Sequence, residues 1–444
     1  MDWCKISREA KELEGWENML SHSHSEIGEV IRKVRKDRGL KLEDLADQNI
    51  SVATISNIER GVPHVKTDKV LYLLEKLNIE LERIPAMIMG KQEELKALNV
   101  RLLGIESLFS NGRWEKAIEI LDSLDLNDSH PLADYVFYLK GKCLIVGNKF
   151  KRAERNLYKA IQISSQKEDK ANIEAASFCE LSRVCYLEND LDQAIKFTES
   201  GIDAFEKDGD RSQVWWTLHL NKALYLEKIG KLNESLSVVL KIWGSIGIID
   251  EIDTVLTFYW LRAELLRRMK QLEESEKYAL EGIDIARRNS AFDLLFELWI
   301  VLGSGYIDRK KWDEAEFALT NALSLQGPIE RSFIIAHAWM GRLYTLLQKW
   351  DEAFLHLEKA VSLGEKINDV PKLVRALRYL GEYYKEKEDL DSAVQQYQKA
   401  AELSKKHNLK KQEYLALFRL AECWSGRDEK EFQLATVNMF DVQK

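Results

Sequence analysis

Leu302-Gly-Ser-Gly-Tyr306 followed by Trp312-Asp-Glu-Ala315 returns as Met340-Gly-Arg-Leu-Tyr344 with Trp350-Asp-Glu-Ala353, and again as Leu380-Gly-Glu-Tyr-Tyr384 with Leu390-Asp-Ser-Ala393. Working outward from these three, a Trp, Leu or Phe followed by two polar residues and then Ala or Ser recurs eight times, anchored at Trp114, Phe150, Leu191, Leu232, Leu272, Trp312, Trp350 and Leu390. The intervals are 36, 41, 41, 40, 40, 38 and 40 residues. Nine residues before the anchor a small residue stands in seven copies: Gly141, Ser182, Ala223, Ala263, Gly303, Gly341 and Gly381. Ten residues after it a small residue stands in six: Ala160, Gly201, Gly282, Ala322, Ala360 and Ala400. A fixed period in this range marks stacked helix pairs, each leaving an apolar face that only the next pair covers. Small residues then mark where neighbouring helices come closest. The expectation is an all-α chain dominated by a superhelical array.

Composition agrees and excludes much else. The 444 residues are 45% hydrophobic, as in ordinary globular proteins, and only five prolines interrupt them. No run approaches the 18 apolar residues of a membrane span, and Met1-Asp2-Trp3-Cys4 opens no secretory signal. Five cysteines, scattered and without C-x-x-C spacing, suit reduced thiols in a cytoplasmic protein, with Cys179 and Cys185 packed rather than redox-active. The eight histidines are dispersed, no H-E-x-x-H occurs, and neither a phosphate loop nor a G-x-S-x-G elbow is present. No enzyme, metal or cofactor is indicated. The net charge of −8 gives no global attraction to nucleic acid, so any DNA contact must come from a local basic patch.

The Leu/Met-Gly-x-x-Tyr phrase with its Trp/Leu-x-x-Ala partner resembles the tetratricopeptide repeat, across residues 95–424. That resemblance implies eight or nine repeats wound into a right-handed superhelix. The period is longer than the usual 34, and Lys222 and Arg262 stand where that family has Leu. Residues 1–25 read as a leader, 87–94 as a linker, and 425–444 as a polar C-terminal tail.

Residues 26–86 break the period and give four short helical segments, with Gly39 and Gly61 placed as positive-φ helix caps and Ser51 as an N-cap. Gly39-Leu-Lys-Leu-Glu-Asp-Leu-Ala46 followed by Ile50-Ser-Val-Ala-Thr-Ile-Ser-Asn-Ile-Glu-Arg-Gly61 resembles the Xre-type helix-turn-helix. The resemblance implies a DNA-binding domain whose third helix enters the major groove, with Ser51, Val52, Ala53, Thr54, Ser56, Asn57 and Arg60 facing DNA. Asn57 would read an adenine edge, and the apolar groups thymine methyls. Leu42 replaces the family's usual Gln, which removes one backbone brace. Arg32, Lys33, Arg35, Lys36, Arg38 and Lys41 surround a single Asp37, and Arg32 and Arg35 would hold phosphates; the plain alternative is a solvated helix face.

In the array, positions 15, 12, 8 and 5 before each anchor fall on the face away from the packed one. They carry Tyr138, Lys142, Arg183, Trp260, Glu264, Arg267, Arg342, Arg375 and Arg378, with Asn221 one position away. Such a wall suits an extended peptide, Asn pairing with its backbone and Arg with a carboxylate. The alternative is polar groove residues serving no ligand.

An Xre-type helix-turn-helix joined to such repeats resembles the RNPP family of peptide-pheromone receptors. The resemblance implies a transcription regulator in quorum sensing that binds an operator and a short signalling peptide, as a homodimer or a tetramer. Asn221, in Leu220-Asn-Lys-Ala-Leu-Tyr225, is similar to that family's backbone-gripping asparagine. A second expectation is a scaffold that sequesters a partner, as Rap-like relatives do with a response regulator of the sporulation phosphorelay.

Overall fold

The computed structural model describes residues 24–62, 64–80, 83–124, 126–128, 130–166, 170–325 and 330–443, so the expected leader lies outside them except for its last two positions. The described residues form helices and no strand. The chain divides into two compact units, Met1–Ile120 and Leu121–Lys444.

The first unit holds α1 (His24–Asp37), α2 (Leu42–Leu45), α3 (Val52–Glu59), α4 (Thr67–Lys76), α5 (Ile84–Ser110) and the start of α6 (Trp114–Asp122). Ile27 and Ile31 of α1, Ile55 and Ile58 of α3, and Val70, Leu73 and Leu74 of α4 meet in one buried cluster, closed by Ile84 of α5. Both expected caps form, with Gly39 at φ 67° and Gly61 at φ 69°, and the Ser51 hydroxyl accepts the Thr54 amide at 3.1 Å. Between α2 and α3, Asp47 accepts the amides of Asn49 and Ile50 at 2.8 and 3.1 Å, fixing the turn. α1 and α3 cross at backbone distance, because a Cβ on Gly28 would lie 2.2 Å from the Ile58 carbonyl oxygen.

Residues 87–94 are not the expected linker. They lie inside the 27-residue α5, tied back to α1 by Gln92 donating to Glu26 at 3.1 Å and by a Lys33–Glu94 ion pair at 3.0 Å.

The second unit alternates first and second helices. The first helices are α7 (Ala133–Val146), α9 (Ile173–Leu187), α11 (Ser212–Ile229), α13 (Ile252–Arg268), α15 (Phe292–Asp308), α17 (Phe333–Leu346) and α19 (Val370–Glu386). Their partners are α8 (Phe150–Ser164), α10 (Leu191–Asp203), α12 (Leu232–Trp243), α14 (Leu272–Arg288), α16 (Trp312–Ser324), α18 (Trp350–Ile367) and α20 (Leu390–Lys406). Every anchor is the first residue of its second helix. The small residues do what the period demands: a Cβ on Gly303, Gly341 or Gly381 would lie 2.8, 2.5 or 2.6 Å from the partner helix's Leu319, Leu357 or Tyr397. Where the anchor phrase ends in Ser, the hydroxyl is used, Ser235 donating to the Ala223 carbonyl at 2.7 Å and Ser275 to Ala263 at 2.8 Å.

Residues 425–444 are not the expected polar tail but carry the second helix of a further pair. α21 (Lys410–Trp424) packs against α22 (Glu429–Gln443), which buries Ala435 and lays Phe432, Met439 and Val442 on the same cluster. The array also meets itself: the turn after α9 reaches the turn before α21, where Asn189 Nδ2 donates to the Asn408 carbonyl at 2.9 Å.

Candidate DNA-contact helix and repeat groove

On α3, Ala53, Asn57 and Arg60 lie at helical spacing on one accessible face, with Val52, Thr54 and Ser56 half-buried beside them. The Ser51 and Thr54 hydroxyls hydrogen-bond to each other at 2.8 Å, and Asn57 Oδ1 accepts Arg60 Nη2 at 2.5 Å. Arg60 therefore holds the Asn57 amide oxygen.

Of the basic residues on α1, Arg32 is half-buried and carries no ion pair among the described residues. Arg35 departs from expectation. It is 9% exposed, and its Nε and Nη2 reach the two Glu59 oxygens at 2.5 and 2.9 Å while Nη1 donates to the Leu40 carbonyl at 2.7 Å. It is a structural strut between α1 and α3, not a phosphate contact.

In the array, Arg183 and Asn221 are brought together. With Glu180, Tyr186, Thr217 and Lys228 they line a cleft of about 340 Å³ between α9 and α11. Asn221 Nδ2 makes only a long contact to Cys179 Sγ, 3.5 Å, so the amide remains free to grip a backbone. Burial pushes the Cys179 thiol up, which keeps it protonated and inert. Arg183 is exposed and reaches Glu180 at 3.4 Å.

Other residues of the expected wall are spent internally. Arg267 grips Glu264 with two bonds of 2.8 Å and Asp308 with one of 3.0 Å, so neither Glu264 nor Arg267 is open to a ligand. Tyr138 is buried and stacked on Tyr135, with the Lys142 ammonium 5.9 Å over its ring. Trp260 packs between two core clusters. Arg342 pairs with Glu382 at 3.3 Å above the Trp339 and Tyr379 rings, and Arg378 keeps a buried Nε without an acceptor. Tyr186, Thr217 and Lys228 were not anticipated. Lys228 lies seven residues after Asn221, two turns along α11, a spacing that could have flagged it.

Comparison with known proteins matches the helix-turn-helix family over residues 31–84 and the tetratricopeptide repeat over residues 332–406. This chain joins a helix-turn-helix to a tetratricopeptide-repeat array. No curated protein matches it. Among solved structures, it is similar to a Rap protein complexed with Competence and Sporulation Factor, at 12% identity over 78% of this chain and 98% of that one, TM-score 0.57. It is also similar to the Rap conjugation gene regulator of the plasmid pLS20 in complex with the Phr* peptide, at 12% identity over 79% and 94%, TM-score 0.52. The apo form of RapI aligns at 13% identity over 62% and 98%, TM-score 0.51. The helix-turn-helix chain thus carries an array with the Rap fold. No described helix is long and apolar enough to cross a membrane, and no group of three or more described metal-ligating side chains converges.

Proposed function

We propose that this protein is a cytoplasmic transcription regulator of the RNPP kind, binding operator DNA through α3 and controlled by a short signalling peptide in the repeat groove. The observation that carries the reading is the cleft where Asn221 and Arg183 converge with open hydrogen-bonding capacity, in a chain that also bears a helix-turn-helix. An asparagine amide pairs bidentately with a peptide backbone, and a guanidinium beside it takes a carboxylate. Paired recognition helices must meet half-sites about 34 Å apart, so a homodimer or a tetramer is the working form, and the peptide acts by favouring one arrangement over another. The test is calorimetric titration of five- to ten-residue peptides, encoded by small reading frames beside the gene, against wild type and Asn221→Ala. Asn221→Ala should weaken binding at least about tenfold, roughly 1.4 kcal/mol. Equal affinity in both proteins would overturn the groove assignment, and an operator affinity indifferent to Asn57→Ala would overturn the DNA assignment.

A second reading, a scaffold that holds a response regulator, is favoured by an apolar cleft of about 370 Å³ lined by Leu280, Trp299, Leu302, Tyr306 and Phe317, with Asp313 and Glu314 beside it. Phe317 is 66% exposed there, and Phe317→Ser should release such a partner while leaving peptide affinity unchanged.

A further inference from the structure

Where the array meets itself, positive charge accumulates without compensation. The Asn189–Asn408 hydrogen bond draws the start of α21 onto the corner between α11 and α12, where Lys411 Nζ lies 4.0 Å from where a Gly230 Cβ would sit. Lys228 stands two residues before Gly230, and Arg375 of α19 lies within electrostatic reach of both lysines' surroundings. Neighbouring charges are already engaged: Arg268 with Glu227, Arg267 with Glu264 and Asp308, and Lys372 with Asp369. Lys228, Arg375 and Lys411 have no ion pair among the described residues; Glu297, which faces Lys228 and Arg375, is the unpaired carboxylate there, and Glu264, which acts on Lys411, is already bound to Arg267. Three cations against one carboxylate leave an excess of two positive charges. One turn along α19, the half-buried Arg378 adds a guanidinium whose buried Nε has no acceptor.

Desolvation, together with Arg268, Arg375 and Lys228, pushes Lys411 down to about 8, although its side chain still reaches solvent. Burial pushes Glu297 up, so the one unpaired carboxylate is itself reluctant to stay charged. Like charges are held together here by packing elsewhere in the array, and a bound anion is what would relieve them.

We infer that the junction formed by Lys228, Arg375 and Lys411 is an anion-binding site, taking a ligand with two or more adjacent negative oxygens, carboxylate or phosphate. Because Lys228 also lines the Asn221 cleft, a groove peptide would place its acidic end here. That part rests on the peptide reading, whereas the site itself does not. Anion binding bridges α11, α19 and α21, so it clamps the junction shut.

The full-length protein is melted in the presence of inorganic pyrophosphate or of tetraglutamate at constant ionic strength. Wild type, Arg375→Gln/Lys411→Gln, Asn221→Ala and the remote control Lys196→Gln are compared. The expected result is a saturable rise in Tm for wild type and Lys196→Gln with either anion, and for Asn221→Ala with pyrophosphate, which has no backbone for Asn221 to grip, with apparent affinity falling at least about tenfold in the double variant. The double variant without anion should melt no lower than wild type, since like-charge repulsion has gone, which also shows that it folds. Response to pyrophosphate alone supports the site with free phosphate as its source, and response to tetraglutamate alone supports it with a peptide carboxylate. An equal rise in the double variant, or none in wild type with either anion, overturns the site. Because Asn221→Ala tests the peptide grip separately, failure of one assignment is distinguishable from failure of the other.

Discussion

Arg35→Met should cost the helix-turn-helix on the order of 3–5 kcal/mol, because it strands a buried carboxylate. The Glu59 side chain is 6% exposed and is held by guanidinium bonds of 2.5 and 2.9 Å. At about 4–8 °C per kcal/mol for a domain of this size, the local melting point falls by more than roughly 10 °C. The Leu40 carbonyl also loses its 2.7 Å donor, so the value belongs at the upper end of that range. Removing both charges is a different matter. Arg35→Met with Glu59→Leu leaves an apolar contact between α1 and α3, and such replacements are neutral or stabilising by about 1–4 kcal/mol. Amide hydrogen exchange at Ile55 and Ile58 reads the unit's stability independently of the array. Protection should collapse in the single variant and return in the double. A double variant as labile as the single would refute the strut. The salt dependence of binding to duplex DNA supplies the second readout, each phosphate contact contributing about 0.9 to the slope. Arg32→Gln should lower that slope and the double variant should not; a drop of nearly one in the double variant would return Arg35 to the phosphates.

Gly28→Ala should unfold the helix-turn-helix rather than merely weaken it, since the new methyl meets the Ile58 carbonyl oxygen at 2.2 Å and backbone cannot step aside; native-like circular dichroism and exchange protection would contradict this. Gly341→Ala meets Leu357 Cγ at 2.5 Å, a side chain that can shift, so a loss of about 1–3 kcal/mol in urea denaturation is expected, and no loss would show the helix pair to be looser than drawn. His337 and His356 share a 2.9 Å Nδ1–Nδ1 hydrogen bond, and burial, with Lys359 and His356 adding, pushes His337 down to about 3. The folded form therefore refuses a proton that the unfolded chain accepts. Stability from this pair is fully present above about pH 6.5 and is lost as pH falls below it, by up to about 1.4 kcal/mol per unit per histidine. His337→Gln should flatten the acid limb of a Tm against pH profile, and an unchanged limb would clear the pair of that role.

The anchors and small residues were legible because a repeated packing geometry repeats its steric demand, and each glycine of the three best copies faces the same partner position. The turns were not. Two residues before every anchor the backbone is left-handed, at Gly112, Asn148, Asn189, Gly230, Lys270, Lys310, Gln348 and Glu388, yet glycine fills that place only twice. The residue type was no guide, because tertiary context holds Lys, Gln and Glu in a conformation they disfavour. Residues 87–94 look like a linker in sequence because residues 92–101 of α5 are mostly exposed and lack an amphipathic period, while α22 hides its seam of Phe432, Ala435, Met439 and Val442 among polar residues. Arg35 was misplaced although the signal existed. It follows Ile27 and Ile31 at four-residue spacing, on the face that turns inward. The junction of Lys228 and Lys411 joins residues far apart in the chain, and no local pattern announces it.

α5 runs unbroken through 27 residues, about 40 Å, from the buried Ile84, packed in one cluster with Ile55 and Ile58 of α3, to Leu102 and Ile105 in the first repeat. In a continuous helix the azimuth of one end relative to the other is fixed by the number of residues between them. One residue inserted in its exposed middle would swing the two ends by about 100° while leaving both intact, and four would bring them back to within about 40°. The phase of that helix, like the length of a drive shaft between two gears, is then an inherited quantity in its own right, set by a residue count and indifferent to which residues are counted.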